Sequence, residues 1–217
     1  MEEPILSVVF YRSDAGKEPV RDWLLELTVE DRKAIGADIK TVQYNWPLGM
    51  PVVRKMEPGL WEVRCSIGDG IARVLFTAQN GKMVLLHGFI KKSAKTPAPD
   101  LTTARNRLKK LRNTPMNKHL GSNFDDFLEE EGLLEEATAI AVKRVISSQF
   151  AQAMKAQKVS KTEMATRMRT SRMVVNRLLD ENDTGVTLAT LARASVALGT
   201  ALHFELDDAT VLQASAA

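Results

Sequence analysis

The sequence predicts two domains of different class: an α+β domain, a small antiparallel sheet with helices, followed by an all-α domain. Three observations predict it. Up to about residue 112, short β-rich runs joined by Gly-Asp-Gly and Asn-Gly turns alternate with helical stripes, and beyond it helical spacing dominates. A length of 217 residues, 44% hydrophobic and 26% charged, suits two modest domains and excludes wholesale disorder. The charge divides as well: residues 1–113 carry 19 Lys+Arg against 13 Asp+Glu, a net of +6, and residues 114–217 carry a net of −3. We therefore expect domains at 1–112 and 117–217 with a junction at 113–116, where Asn113-Thr114-Pro115 reads as a linker.

The elements follow in order. Residues 5–11 are short and β-rich. After Pro19, Val20, Trp23, Leu24 and Leu27 recur at helical spacing, with the proline in a first turn. Residues 29–44 place Ile35, Ile39 and Val42 on one stripe, and Trp46-Pro47-Leu48-Gly49 breaks it. In residues 60–67, Trp61, Val63, Cys65 and Ile67 face one way and Glu62, Arg64 and Ser66 the other. Gly68-Asp69-Gly70 turns the chain into 71–76, and Asn80-Gly81 turns it again into 82–90. A basic helix at about 100–111 ends this half, with Leu101, Ala104, Leu108 and Leu111 as its stripe. Helices are expected on one face of the sheet, leaving Glu62, Arg64, Arg73 and Lys91-Lys92 on the other.

An acidic amphipathic segment follows, with Phe124, Phe127, Leu128 and Leu133 as its apolar positions. Next comes a helix at about 138–156. Ser160-Lys161-Thr162-Glu163 reads as a capping box opening a short helix. Thr170 or Ser171 caps the next, which carries Val174, Val175, Leu178 and Leu179. Thr187 opens a last helix that Gly199 ends, and Leu202, Phe204 and Leu206 alternate as a short strand would.

Several chemistries are excluded. The single cysteine, Cys65, and three scattered histidines, His87, His119 and His203, are too few for a zinc site, and no metal or cofactor is expected. No P-loop, dinucleotide glycine pattern or Ser-His-Asp order is present. No apolar run approaches a membrane span, and the start Met1-Glu2-Glu3-Pro4 is acidic where a leader would be basic, so the expectation is a cytoplasmic protein.

Two constellations remain. Arg64, Arg73, Lys91 and Lys92 form a cationic group on strands, which suits an anionic ligand. RNA is cleaved without a metal when its 2′-hydroxyl attacks the neighbouring phosphate, a route needing proton exchange and cations on the developing charge. His87 or Glu62 are candidates for the proton exchange, though His87 also fits a strand histidine, Glu62 a cross-strand ion pair, and Lys95 a loop lysine. In the second half, two short capped helices within about 138–199 form a helix-turn-helix pattern whose second helix exposes Ser171, Arg172, Met173, Asn176 and Arg177. Arg and Asn are the side chains that pair bidentately with guanine and adenine.

The order Pro58-Gly59-Leu60-Trp61-Glu62-Val63-Arg64, Gly70-Ile71-Ala72-Arg73 and Leu85-Leu86-His87-Gly88-Phe89-Ile90-Lys91-Lys92, with Lys95-Thr96-Pro97, resembles the RelE/HigB-type toxins over residues 5–112, and most closely their phage-derived Gp49-like branch. The resemblance implies a ribosome-dependent mRNA endonuclease in which Arg64 and Arg73 contact phosphate and Lys91-Lys92 form the basic strand end. The tyrosine some relatives carry has no counterpart at Thr96-Pro97 or Leu111-Arg112. Residues 117–206 are similar to HigA-type antitoxins of the Xre/Cro helix-turn-helix class, through Phe124-Asp125-Asp126-Phe127-Leu128-Glu129-Glu130-Glu131-Gly132, Thr170-Ser171-Arg172-Met173 and Thr187-Leu188-Ala189-Thr190-Leu191. Met116 sits where a separate antitoxin would start.

The resemblances together imply a toxin and its antitoxin in one chain, with the ribosome and mRNA, operator DNA and a second copy of the C-terminal domain as partners. The acidic segment 123–136, through Phe124, Asp125, Asp126, Phe127, Glu129 and Glu130, or else the helix that follows it, is expected to cover the basic face, within one chain or between two. The alternative is a non-enzymatic helix-turn-helix regulator whose N-terminal domain only binds RNA or a partner.

Overall fold

The computed structural model describes residues 6–91 and 97–204, apart from the side chains of Met116 and Asn117. The chain divides into two compact units, Met1–Ala141 and Val142–Ala217. The boundary comes later than the 113–116 junction the sequence suggests, because the residues after that junction complete the first unit's sheet and core.

The first unit is α+β. Strand β1 (Ser7–Tyr11) precedes helices α1 (Pro19–Leu25) and α2 (Val29–Asn45). Four strands follow: β2 (Val53–Glu57), β3 (Leu60–Ile67), β4 (Gly70–Gln79) and β5 (Lys82–Lys91). Helix α3 (Ala98–Asn113), a 3₁₀ turn (Met116–His119), strand β6 (Leu120–Asn123) and helix α4 (Phe124–Glu130) complete it, and the unit boundary falls inside α5 (Leu134–Ala156). The sheet order is β2-β3-β4-β5-β1-β6, mixed instead of purely antiparallel, because β1 pairs parallel to β5. The helical connection α1–α2 and the hairpins that follow bring the fifth strand alongside the first.

Turn chemistry sets the hairpins. Asn80 and Gly81 both take positive φ, as a tight turn between Gln79 and Lys82 requires. Pro58-Gly59 makes the equivalent turn ahead of β3, with Glu57 opposite Leu60.

Helices cover both faces, where one was expected. Val63, Cys65, Val74, Phe76, Met83 and Leu85 pack with Val20, Leu24, Ile35, Ile39 and Val42 on the α1/α2 face. Leu60, Leu75, Val84 and Leu86 pack with Ala104, Leu108 and Leu111 of α3 on the other.

Helix α2 is buried nearly all round, since α4 and the start of α5 cover the side turned from the sheet. Phe124, Phe127, Leu128, Leu133 and Ala137 belong to the same core as Ile35 and Phe10. Phe10 meets the rings of Phe124 and Phe127 edge-on at 5.6 and 5.5 Å. Gly36 permits the approach: a Cβ there would lie 3.1 Å from a methyl of Leu128.

The second unit is all-helical among its described residues: the rest of α5, α6 (Lys161–Arg167), α7 (Arg172–Leu179) and α8 (Leu188–Leu198). Its core is Phe150, Met154, Met164, Met168, Val175, Leu178, Leu191, Ala194 and Leu198. Ser160 caps α6 by accepting from the Glu163 N–H, but Glu163's carboxylate pairs with Arg167, so the box is half made. Thr187 caps α8, and Gly199 ends it in the left-handed region. Leu202 and Phe204 are exposed and in no strand, unlike the alternation expected, and Leu206 lies outside the described residues.

Candidate nucleic-acid interface

Strand pairing assembles the cationic group. Glu62 and Arg64 alternate with Val63 and Cys65 on β3, so they share the face that α3 covers in part. Arg64 lies directly opposite Arg73 of β4, and Arg54 of β2 directly opposite Glu62. Lys91 reaches this face through a bulge: Phe76 pairs with Leu85, yet the next residue, Leu75, pairs with His87, leaving Leu86 extra. Strict alternation from Leu85 would have sent His87, Phe89 and Lys91 to the α1/α2 face. Instead Phe89 opposes Arg73, and Gly88 turns to the α1 side, where a Cβ would meet the ring of Trp23.

Arg54, Arg64, Arg73 and Lys91 thus come from four adjacent strands, around one acid among the described residues, Glu62. Lys91 is held below its ordinary lysine range by desolvation and by the cations of Arg73, Arg64 and Arg54, against which Glu62 acts. Burial, opposed by Glu62, also lowers Arg73, which stays charged. Arg73 is 2% exposed and Glu62 0%, and an Arg73 Nη1 donates to Glu62 Oε1 at 2.7 Å. Buried Arg73 Nε has no hydrogen-bond partner among the described residues. Arg54 is exposed and Arg64 half-buried, its Nη1 3.8 Å from the Sδ of Met50. Neither Arg54 nor β2 belongs to an expected element of the sequence; the Pro58-Gly59 turn is the signal that marks both.

His87 is tied to α3. Its Nε2 lies 2.8 Å from Asp100 Oδ1, and its Nδ1 3.4 Å from Arg107, whose guanidinium also donates to the Leu86 carbonyl at 2.7 Å. Burial lowers its pKa, the Asp100 hydrogen bond opposing. Lys92 and Lys95 lie outside the described residues.

The acidic segment meets different cations. Lys40 of α2, 2% exposed, donates to Asp125 at 2.9 Å. Arg32 pairs with Glu131, Arg21 with Glu130, and Lys33 with Glu136 at 2.9 Å. Asp126 and Glu129 are exposed. Glu18, just before α1, accepts from the Ser122 N–H at 2.6 Å and hydroxyl at 2.7 Å, fastening β6. The expectation that Phe124, Asp125, Asp126, Phe127, Glu129 and Glu130 lie over Arg64, Arg73 and Lys91 is therefore corrected. The aromatic residues fit the groove above α2, and the bases there, Arg21, Arg32, Lys33 and Lys40, match the acids.

In the second unit, residues 168–171 connect α6 to α7. Arg172, Met173, Asn176 and Arg177 all lie exposed on α7, with Val175 and Leu178 buried. Ser171 occupies the position before α7 without making a side-chain cap. Asn176 accepts from Lys161 at 3.1 Å, and Arg177 donates to Asp183 at 2.8 Å.

Among the described residues no cluster of His, Cys, Asp and Glu is arranged to hold a metal, and no helix is long and apolar enough to cross a membrane. No curated protein matches the chain. Residues 22–109, which contain the whole cationic group and all of β2 to β5, match the family described as phage derived protein Gp49-like (DUF891).

Proposed function

We propose that the cationic face holds the ribose-phosphate backbone of mRNA on the ribosome and that the first unit cleaves it, as the resemblance to RelE/HigB-type toxins implies. The observation that supports this most is the row of Arg54, Arg64, Arg73 and Lys91 on one face with Glu62 as its internal acid. In the reaction, the 2′-hydroxyl gives its proton to solvent water as its oxygen bonds to phosphorus, the P–O5′ bond breaks, and a 2′,3′-cyclic phosphate forms. Arg64 and Arg73 offset the charge growing on the phosphoryl oxygens. Lys91, with its lowered pKa, gives a proton to the leaving 5′-oxygen. Glu62 and His87 serve here as supports: one orients Arg73, the other fixes α3 to β5.

Residues from Met116 onward act as the antitoxin. Its β6–α4 segment docks on β1, α1 and α2, away from Arg64, Arg73 and Lys91, so inhibition does not come from that segment plugging the cationic row. Helix α7 reads operator DNA, with a second copy reading the other half-site.

Expression of 1–112 tests the assignment. Translation should stop, with new 5′ ends mapped on ribosome-bound transcripts, while the full chain leaves them intact. Intact transcripts with 1–112, but retained RNA binding, would favour the binding-only regulator.

A further inference from the structure

Lys143 of α5 is 5% exposed, an unusual place for an ammonium group. The three N–H groups of its Nζ are shared among four acceptors, the Ser147 hydroxyl at 2.8 Å and the carbonyls of Leu178 at 3.1 Å, Arg177 at 3.2 Å and Asp180. The Ser147 hydroxyl in turn donates to the Leu178 carbonyl at 3.0 Å. These are the last carbonyls of α7, which have no partner inside their own helix.

The neighbouring helices finish differently. After α6, Arg169 takes φ +51° and the Thr170 N–H returns to the Ala165 carbonyl; after α8, Gly199 takes φ +64° and the Thr200 N–H returns to Ser195. Both close on themselves. Helix α7 instead ends in an extended Asp180, and its terminal carbonyls are met from α5. At its other end Ser171 makes no side-chain cap. A cation at a helix C-terminus is also favoured by the aligned peptide dipoles.

We propose that Lys143, seated on Ser147, is a positioning residue for base recognition: it fixes the tilt of α7 and hence the reach of Arg172, Met173, Asn176 and Arg177 into the major groove. This rests on the reading of α6–α7 as a DNA-binding pair. Packing of Val175 and Leu178 sets which side of α7 is buried, and the bonds from Lys143 and Ser147 fix its C-terminal end.

The test is selection of duplexes from a random-sequence DNA pool by the full-length chain and by Lys143→Met, with affinity for the unselected pool measured alongside. The wild type should enrich a motif, and the variant should prefer that motif roughly tenfold less while binding the unselected pool as before. Wild-type preference in a folded Lys143→Met, or an equal fall for motif and unselected pool, would overturn the positioning role. Should Lys143→Met fail to fold, Ser147→Ala decides: a reduced preference supports the proposal and an unchanged one overturns it. If the wild type binds the pool without enriching any motif, the DNA-reading assignment falls first, and the role of Lys143 with it.

Discussion

The two faces of the first unit's sheet treat charge in opposite ways. On the α1/α2 side Arg21, Arg32, Lys33 and Lys40 each have a carboxylate from the segment following α3. On the α3 side, apart from the Glu57–Arg105 and Asp100–His87 pairs, Arg54, Arg64, Arg73 and Lys91 surround one carboxylate among the described residues, Glu62. Cations with matched acids are the signature of a surface already occupied. Cations gathered around a single acid raise one another's cost and are relieved by an anion from outside. The acidic run is thus an internal ligand for one basic surface, while the other is the surface proposed to take the substrate.

Breaking the occupied side should have the largest effect. Phe124→Ala removes a fully buried ring that touches Phe10 and should cost about 3–5 kcal/mol in a urea melt of the full chain. A loss under about 1 kcal/mol would mean that α4 is only loosely attached. Next comes Arg73→Met, which takes away a buried ion-pair partner of Glu62 and should cost about 3 kcal/mol, with part of it regained when Glu62→Leu is added. No recovery in the double variant would show that Arg73 contributes through packing and not as Glu62's partner.

Arg64→Gln sharpens the contrast from the other direction. Its stability should stay within about 0.5 kcal/mol of the parent, while cleavage of ribosome-bound mRNA by 1–112 falls about 100-fold. Equal cleavage would remove Arg64 from the reaction. His87 supplies a pH dependence: its folded pKa lies below the ordinary value, so the unfolded chain takes up the proton first and stability falls as pH drops below about 6.5. His87→Gln should flatten that acid limb, and an unchanged limb would assign it to carboxylates. Smallest of all, Lys33→Ala loses a partly exposed pair with Glu136 and should change stability by less than about 1 kcal/mol, less still in high salt.

Locally encoded features were legible. The Gly68-Asp69-Gly70 and Asn80-Gly81 turns, the alternation of β3, and the helix ends at Ser160, Thr187 and Gly199 all follow from short-range chemistry. Features set by distant pairing were not. Strand β6, Leu-Gly-Ser-Asn, has no alternation of its own and exists because β1 offers an edge. The parallel β1–β5 pair leaves no local trace. The bulge at Leu86 is equally silent, although it decides which face receives Lys91. Charge patterning showed that an acidic run would meet a basic surface, yet net charge alone did not separate the bases of α1 and α2 from those of the strands; the spacing of Phe124 and Phe127 against the groove above α2 made that choice.

The most direct measurement is the salt dependence of binding between residues 1–141 and a fluorescent single-stranded RNA, for the parent and for Arg64→Gln combined with Lys91→Gln. If each side chain holds one phosphate, the slope of log affinity against log salt should shrink by about 1.4 in the variant, two contacts at about 0.7 each. Parallel lines of equal slope would contradict the claim that this face grips a phosphate backbone.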